Sequence, residues 1–188
     1  AVRSRGLGDV YKRQVYETLD DSSANRDLAT QRLDNPAFGK WLDKNVVAHK
    51  QSGYAVVNLA LKPTGIAPGD ISDIQMDAIA ALADEFSMGE LRNTHNQNIV
   101  LADVKKAELY ALWKKCNALQ LATPNIGYLT DPICCPGGDY CALANAKSIP
   151  VAEAIQRKFD DIDYVHDLGP IDLNISGCMN ACGHHHVG

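Results

Sequence analysis

Five of the six cysteines fall in the last third of the chain, at Cys134, Cys135, Cys141, Cys178 and Cys182, while Cys116 stands apart. Cys135 and Cys141 form a C-x5-C pair, Cys178 and Cys182 form a C-x3-C pair, and 36 residues separate the two. A thiolate is a soft anionic ligand, and four of them brought in from two loops suit an iron–sulfur cube, whose irons are held by cysteine sulfur. Structural zinc also takes four thiolates, although its knuckles are usually spaced more tightly than C-x5-C. Spacing alone leaves both metals open, along with a chance grouping of buried cysteines. Disulfides fit less well, because the N-terminal residues lack the apolar run of a secretory signal and clustered cysteines in a cytosolic chain point to metal or redox chemistry.

Two further groups invite a chemical reading. His184, His185 and His186 are consecutive; imidazole is a common ligand, but adjacent strand side chains point to opposite faces, so at most two could share a site and a supporting role is expected. Cys116 shares a helical face with Leu109 and Leu112 and reads as a small core residue.

The elements that must position these residues follow from periodicity. From Tyr54 to Leu61 apolar residues alternate, with Ala55, Val57, Leu59 and Leu61 on one face, which predicts a strand ended by Lys62-Pro63-Thr64-Gly65. Ser72 with Gln75 forms a capping box, with Ile71 and Met76 placed as a hydrophobic staple. Ile74, Ala78, Leu82 and Phe86 then mark a buried helical face. Glu90–Thr94 and Asn98–Ala102 read as short strands joined by a polar turn, and Asp103 as the cap of a helix over residues 104–119. Strand, helix, strand, strand, helix matches most of a ferredoxin-like α+β unit.

Past Thr123-Pro124 the texture turns to Gly, Pro and Cys, and Pro136-Gly137-Gly138 reads as a loop shaped around something. Short helices are expected over residues 141–146 and over 150–159 behind Ser148, with Pro150 in the first turn. Ile171–Ile175 reads as a strand feeding the second cysteine loop.

Composition bounds the rest. A chain of 188 residues that is 46% hydrophobic can bury one core or two small ones. Its net charge of −5 argues against a nucleic-acid surface, and no run approaches the roughly 20 apolar residues that cross a bilayer. The expected compartment is the cytoplasm. Residues 1–14 (AVRSRGLGDVYKRQ) carry a net +3 against −8 for the remainder, show no periodicity, and resemble a translated adaptor sequence.

At the cysteines a resemblance becomes specific. Cys135-Pro136-Gly137-Gly138-Asp139-Tyr140-Cys141-Ala142-Leu143-Ala144-Asn145-Ala146 and Asn174-Ile175-Ser176-Gly177-Cys178-Met179-Asn180-Ala181-Cys182-Gly183 look like the paired signature of the nitrite/sulfite reductase hemoprotein family. Leu91-Arg92-Asn93-Thr94-His95-Asn96-Gln97-Asn98 resembles that family's ferredoxin-like half-domain, and the match covers roughly residues 36–188. The resemblance implies a 4Fe–4S cluster on Cys135, Cys141, Cys178 and Cys182, with Cys182 also bridging to the iron of siroheme. It implies Arg92, Asn96, Gln97, Asn98 and Asn180 at the siroheme edge, Arg92 because a guanidinium binds a carboxylate with two parallel hydrogen bonds.

The implied activity is six-electron reduction of sulfite to sulfide, or of nitrite to ammonia, with ferredoxin or a flavoprotein reductase as electron donor. The histidine-rich tail resembles bacterial assimilatory sulfite reductases. Met179 stands where the family commonly has Pro, and Cys134 adds a neighbouring thiol, against which the C-x5-C spacing selects Cys135.

The implied organisation is an adaptor-like segment at 1–14, a linker at 15–35, a ferredoxin-like half-domain at 36–123, and a truncated α/β siroheme and 4Fe–4S domain at 124–188. The Arg and Lys side chains that clamp the anion are expected to lie outside this fragment, which alone is expected to be inactive. A relative in corrin biosynthesis shares the cluster signature. From a different class comes a non-catalytic module in which the four cysteines hold zinc.

Overall fold

The computed structural model describes residues 14–187; the adaptor-like segment, except for Gln14, lies outside them. The first part is a four-stranded antiparallel sheet with strand order β1-β2-β4-β3, made of β1 (Val46–Ala48), β2 (Tyr54–Leu59), β3 (Leu91–Asn93) and β4 (Ile99–Lys105). Helices α2 (Pro36–Asn45), α3 (Asp73–Phe86) and α4 (Leu109–Ala118) share one apolar core with β2 and β4. Phe38, Trp41, Val57, Leu59, Leu101, Val104 and Leu112 are fully buried there. The period-two pattern of β2 explains this: Ala55, Val57 and Leu59 all turn inward. Cys116 is also fully buried in the core, and burial pushes its thiol up to about 12.

The capping box forms as the sequence predicts: Gln75 N–H donates to Ser72 Oγ at 3.2 Å and Ser72 N–H donates to Gln75 Oε1 at 3.0 Å. The buried face of α3 is rotated, however, to Ile79, Leu82, Ala83 and Phe86, leaving Ile74 72% exposed and Met76 59% exposed. A four-residue spacing drifts by about 40° per step on a 3.6-residue helix, so a line drawn back from Phe86 leaves the core before it reaches Ile74.

Asp103 caps no helix. It sits inside β4, whose apolar run keeps pairing with β2 as far as Tyr54↔Lys105, and the helix starts only at Leu109 after a 3-10 turn at Lys106–Glu108. Its buried carboxylate accepts from the Tyr16 hydroxyl at 2.7 Å. The segment expected as a linker contains α1 (Asp21–Asp34), begun by Asp20, whose carboxylate accepts from Ser22 N–H at 2.9 Å. Ala24 is its one buried residue, with Leu28 packed against the core, so the sequence offers little apolar signal for a helix held mostly at its polar rim, where Arg32 meets Asp43 at 2.6 Å.

The second part is held differently. A parallel ladder of two residues per strand joins β5 (Ile133–Cys134) to β6 (Asn174–Ile175), with α5 (Gly137–Tyr140), α6 (Ile149–Lys158) and α7 (Ile162–Leu168) between them. The helix expected over 141–146 is absent: the single turn α5 precedes Cys141, and the following residues form turns. Helix α7, not anticipated from the sequence, starts at Asp161, whose carboxylate accepts from Asp163 N–H at 3.0 Å and Tyr164 N–H at 3.2 Å. No described helix is long and apolar enough to cross a membrane.

Candidate functional site

The parallel ladder brings the two cysteine pairs to one place. Parallel strands deliver the loops at their C-terminal ends to the same edge; here β5 runs into Cys135 and β6 runs into Ser176-Gly177-Cys178. Ile133 N–H donates to Leu173 O at 2.9 Å and Cys135 N–H to Ile175 O at 3.1 Å. Beyond the strands the loops are laced through Gly177. Its carbonyl accepts from Asn145 N–H at 2.9 Å and Ala146 N–H at 3.0 Å, and its own N–H points to Cys135 Sγ at 3.1 Å. A Cβ at Gly177 would lie 2.6 Å from Ala146 O and 3.0 Å from Gly137 Cα, so only glycine permits this approach. Gly183 is under a similar constraint, its Cβ position lying 2.1 Å from Ile175 O.

Cys135 is buried, and Ser148 Oγ lies 3.2 Å from its sulfur. Burial alone would raise this thiol, but the Ser148 hydroxyl and the N–H groups of Gly177 and Gly137 outweigh it and hold the group below the ordinary cysteine range. Ser148 occupies the N-cap position of α6, yet its side chain makes no cap bond.

Cys134 differs from its neighbour. Burial, with the adjacent Cys135, pushes its thiol up to about 11. Cys141 and Cys178 are half-buried and Cys182 is exposed. Among the described residues no three His, Cys, Asp or Glu side chains are gathered as one metal-holding set. What the fold brings together is the backbone that carries the four cysteines.

The other sequence candidates separate into two kinds. Asn98 is buried: its Oδ1 accepts from Leu61 N–H at 3.1 Å and its Nδ2 donates to Asp131 Oδ1 at 2.9 Å. Gln97 Nε2 donates to Cys134 O at 2.8 Å, and Cys134 N–H donates back to Gln97 Oε1 at 2.8 Å. Both amides are thus committed inside the protein. Arg92 is exposed on the edge strand β3 and paired with Glu90, its Nε donating to Oε1 at 2.7 Å. Asn180 is exposed in the second cysteine loop.

Asn96 lines a cleft of about 250 Å³ of mixed polar and apolar character with His95, Asp131, Ile133, Leu173, Asn174 and His184. The three histidines lie on turns, with no strand under them, and the His185 and His186 rings sit 4.1 Å apart.

Sequence reasoning missed Lys62 and Asp131. They form an ion pair at 2.6 Å with both side chains essentially inaccessible. Lys62 Nζ also donates to Asn96 O, and Asp131 Oδ2 accepts from Gly127 N–H at 2.9 Å. Burial pulls Lys62 down, against the attraction of Asp131. The signal available in the sequence was a lysine ending an apolar strand, which gives no hint of its partner 69 positions away.

Residues 49–119 match the model of the nitrite/sulfite reductase ferredoxin-like half domain. The chain is 31% identical over 139 residues to a chloroplastic ferredoxin–nitrite reductase of Betula pendula, a match covering 71% of this chain and 22% of that protein. It is 28% identical over 144 residues to a ferredoxin sulfite reductase of Mycolicibacterium paratuberculosis, covering 72% of this chain and 26% of that protein. Among solved structures, the Mycobacterium tuberculosis NirA protein superposes with a TM-score of 0.57 at 26% identity, over 74% of this chain and 25% of that one. The chain spans about a quarter of the length of these relatives. With its mixed helix-and-sheet architecture and its ferredoxin-like half domain, the chain belongs to the nitrite/sulfite reductase hemoprotein family.

Proposed function

We propose that this chain is the cluster-carrying part of a siroheme-dependent reductase that takes electrons from ferredoxin and reduces sulfite to sulfide. The observation that carries the reading is the lacing of the C-x5-C and C-x3-C loops through Gly177. The family uses siroheme and an iron–sulfur cluster, and the residues present fit such a group in donor chemistry. Four cysteines sit on two loops tied together by their backbones, and one sulfur already faces two N–H groups and a hydroxyl of the kind that stabilise a thiolate.

In this reading Cys135, Cys141, Cys178 and Cys182 would hold the cluster, and Cys182 would also serve the siroheme side. Cys134 is left out, because the C-x5-C spacing selects Cys135. When bound, siroheme coupled to a 4Fe–4S cluster supplies single electrons to an anion, six of them for sulfite to sulfide. The chain's own residues place and shield that group. Arg92 offers a guanidinium to a carboxylate at the edge of the sheet, Asn96 and Asn180 offer amides beside the cleft and the second loop, and Gln97 and Asn98 tie the hairpin to Cys134 and Asp131 of the cysteine-bearing part.

The ferredoxin named in both relatives supports ferredoxin as the donor. Reduction of nitrite to ammonia is the second reading, favoured by the plant nitrite reductases among the relatives.

Anaerobic purification followed by metal and acid-labile sulfide analysis tests the reading. Iron and sulfide at about four each per chain are expected, and zinc without sulfide would overturn it. Turnover of sulfite against nitrite with reduced ferredoxin, by the full-length protein, decides the substrate. The part described here is expected to turn over neither, because the basic side chains that clamp the anion are expected in the remainder; sulfite turnover by this chain alone would contradict that.

A further inference from the structure

We propose that Gln97 is a positioning residue for the cluster, acting on Cys135 through the backbone of Cys134. The inference rests on the cluster reading above and assigns Gln97 to the cluster loop in place of the siroheme edge.

Successive peptide groups of a strand face opposite edges. In β5 the N–H groups of Ile133 and Cys135 face β6, so both backbone groups of Cys134 face the other way. Among the described residues no further strand pairs with that edge, the sheet there consisting of β5 and β6. Gln97 takes its place: its carboxamide donates to Cys134 O and accepts from Cys134 N–H, both at 2.8 Å, as the peptide of a third strand would.

Gln97 is itself held for this purpose. Its backbone is in the left-handed region at φ 56°, at the β3–β4 turn, where Thr94 N–H, Thr94 O and Asn98 O are already tied across the hairpin. Gly69 passes so close beneath that a Cβ there would sit 3.1 Å from Gln97 Cβ. The carboxamide is thus a rigid extension of the ferredoxin-like sheet that reaches across to the cysteine segment.

The consequence falls on the next residue. The Cys134 carbonyl and the Cys135 N–H lie in one peptide plane, so fixing that carbonyl fixes where the Cys135 N–H points and where its Cα sits. From that Cα the sulfur reaches Gly177 N–H, 3.1 Å away, and Ser148 Oγ, 3.2 Å away. Hydrogen bonds to cluster sulfur stabilise the reduced, more negative state and so raise its reduction potential. A two-residue ladder is too short to hold this alignment alone.

The test uses the full-length protein with Gln97→Met, which is neutral and of similar length but can neither donate nor accept as an amide does, and Thr94→Val as a control. Thr94→Val removes hydroxyl bonds within the same hairpin without touching Cys134. For Gln97→Met, exchange of the Cys134 amide is expected to accelerate roughly tenfold or more, and the cluster midpoint potential to move negative. Thr94→Val is expected to lower stability and leave both unchanged.

Should Gln97→Met fail to fold, Gln97→Asn, one methylene short, is expected to give the same two shifts at smaller size. A loaded variant with unchanged potential and unchanged Cys134 exchange overturns the inference, as does an equal potential shift in Thr94→Val. A wild-type protein that binds no iron and sulfide overturns the cluster reading itself, an outcome distinct from a loaded wild type beside an unaffected variant.

Discussion

The ferredoxin-like part and the cysteine-bearing part are built by different forces. The first closes a sheet over an apolar core in which Trp41, Phe38, Val57 and Leu112 have no exposure, and burial of that surface stabilises it at roughly 25 cal/mol per Å². The second has strands of two residues, glycines where loops touch, and Tyr140, Leu143, Met179 and Val187 each more than 70% exposed. Its order comes from backbone hydrogen bonds and from contacts with the first part. In the proposed reading the prosthetic group completes the core that this segment leaves unfinished.

The largest way to break the comparison is to sever what joins the halves. Lys62→Met strands the Asp131 carboxylate in a buried site and is expected to cost about 3–5 kcal/mol in chemical denaturation, whereas the paired change Lys62→Met with Asp131→Leu is expected to recover only part of it, because Asn98 Nδ2 and Gly127 N–H then lose their acceptor. Leu112→Ala, confined to the first core, is expected to cost about 2–5 kcal/mol and to leave metal uptake per folded molecule unchanged.

Gly177→Ala sharpens the contrast from the other side. The added Cβ meets Ala146 O, so iron and sulfide content are expected to fall sharply while the thermal transition of the ferredoxin-like part holds. Ser72→Ala removes one capping bond and is expected to cost about 1 kcal/mol of stability without touching the cofactor.

Legibility followed the same division. Period two exposed β2, and the Ser72 and Gln75 spacing exposed the start of α3, because local pattern and burial agree there. Cys116 read as core for the same reason. Residues 15–35 read as a linker or the tail of a helix, and α1 left no clearer signal because it buries little beyond Ala24, while the Asp103 reading failed because tertiary pairing extended β4 past a residue that locally favours a cap. In the candidate site, cysteine spacing is a local property and was visible. The bonds that arrange it, Gln97 to Cys134, Lys62 to Asp131 and Gly177 to Cys135, span 37, 69 and 42 positions and leave no trace in spacing.

The central claim is that the two laced loops carry one iron–sulfur cube between them. X-ray absorption at the iron edge of the anaerobically purified protein tests it most directly. The account predicts iron surrounded by sulfur with a further shell of iron neighbours, lost together when Cys135 or Cys178 is changed to Ser. Mononuclear metal with no metal neighbour, or a spectrum indifferent to those changes, would contradict it.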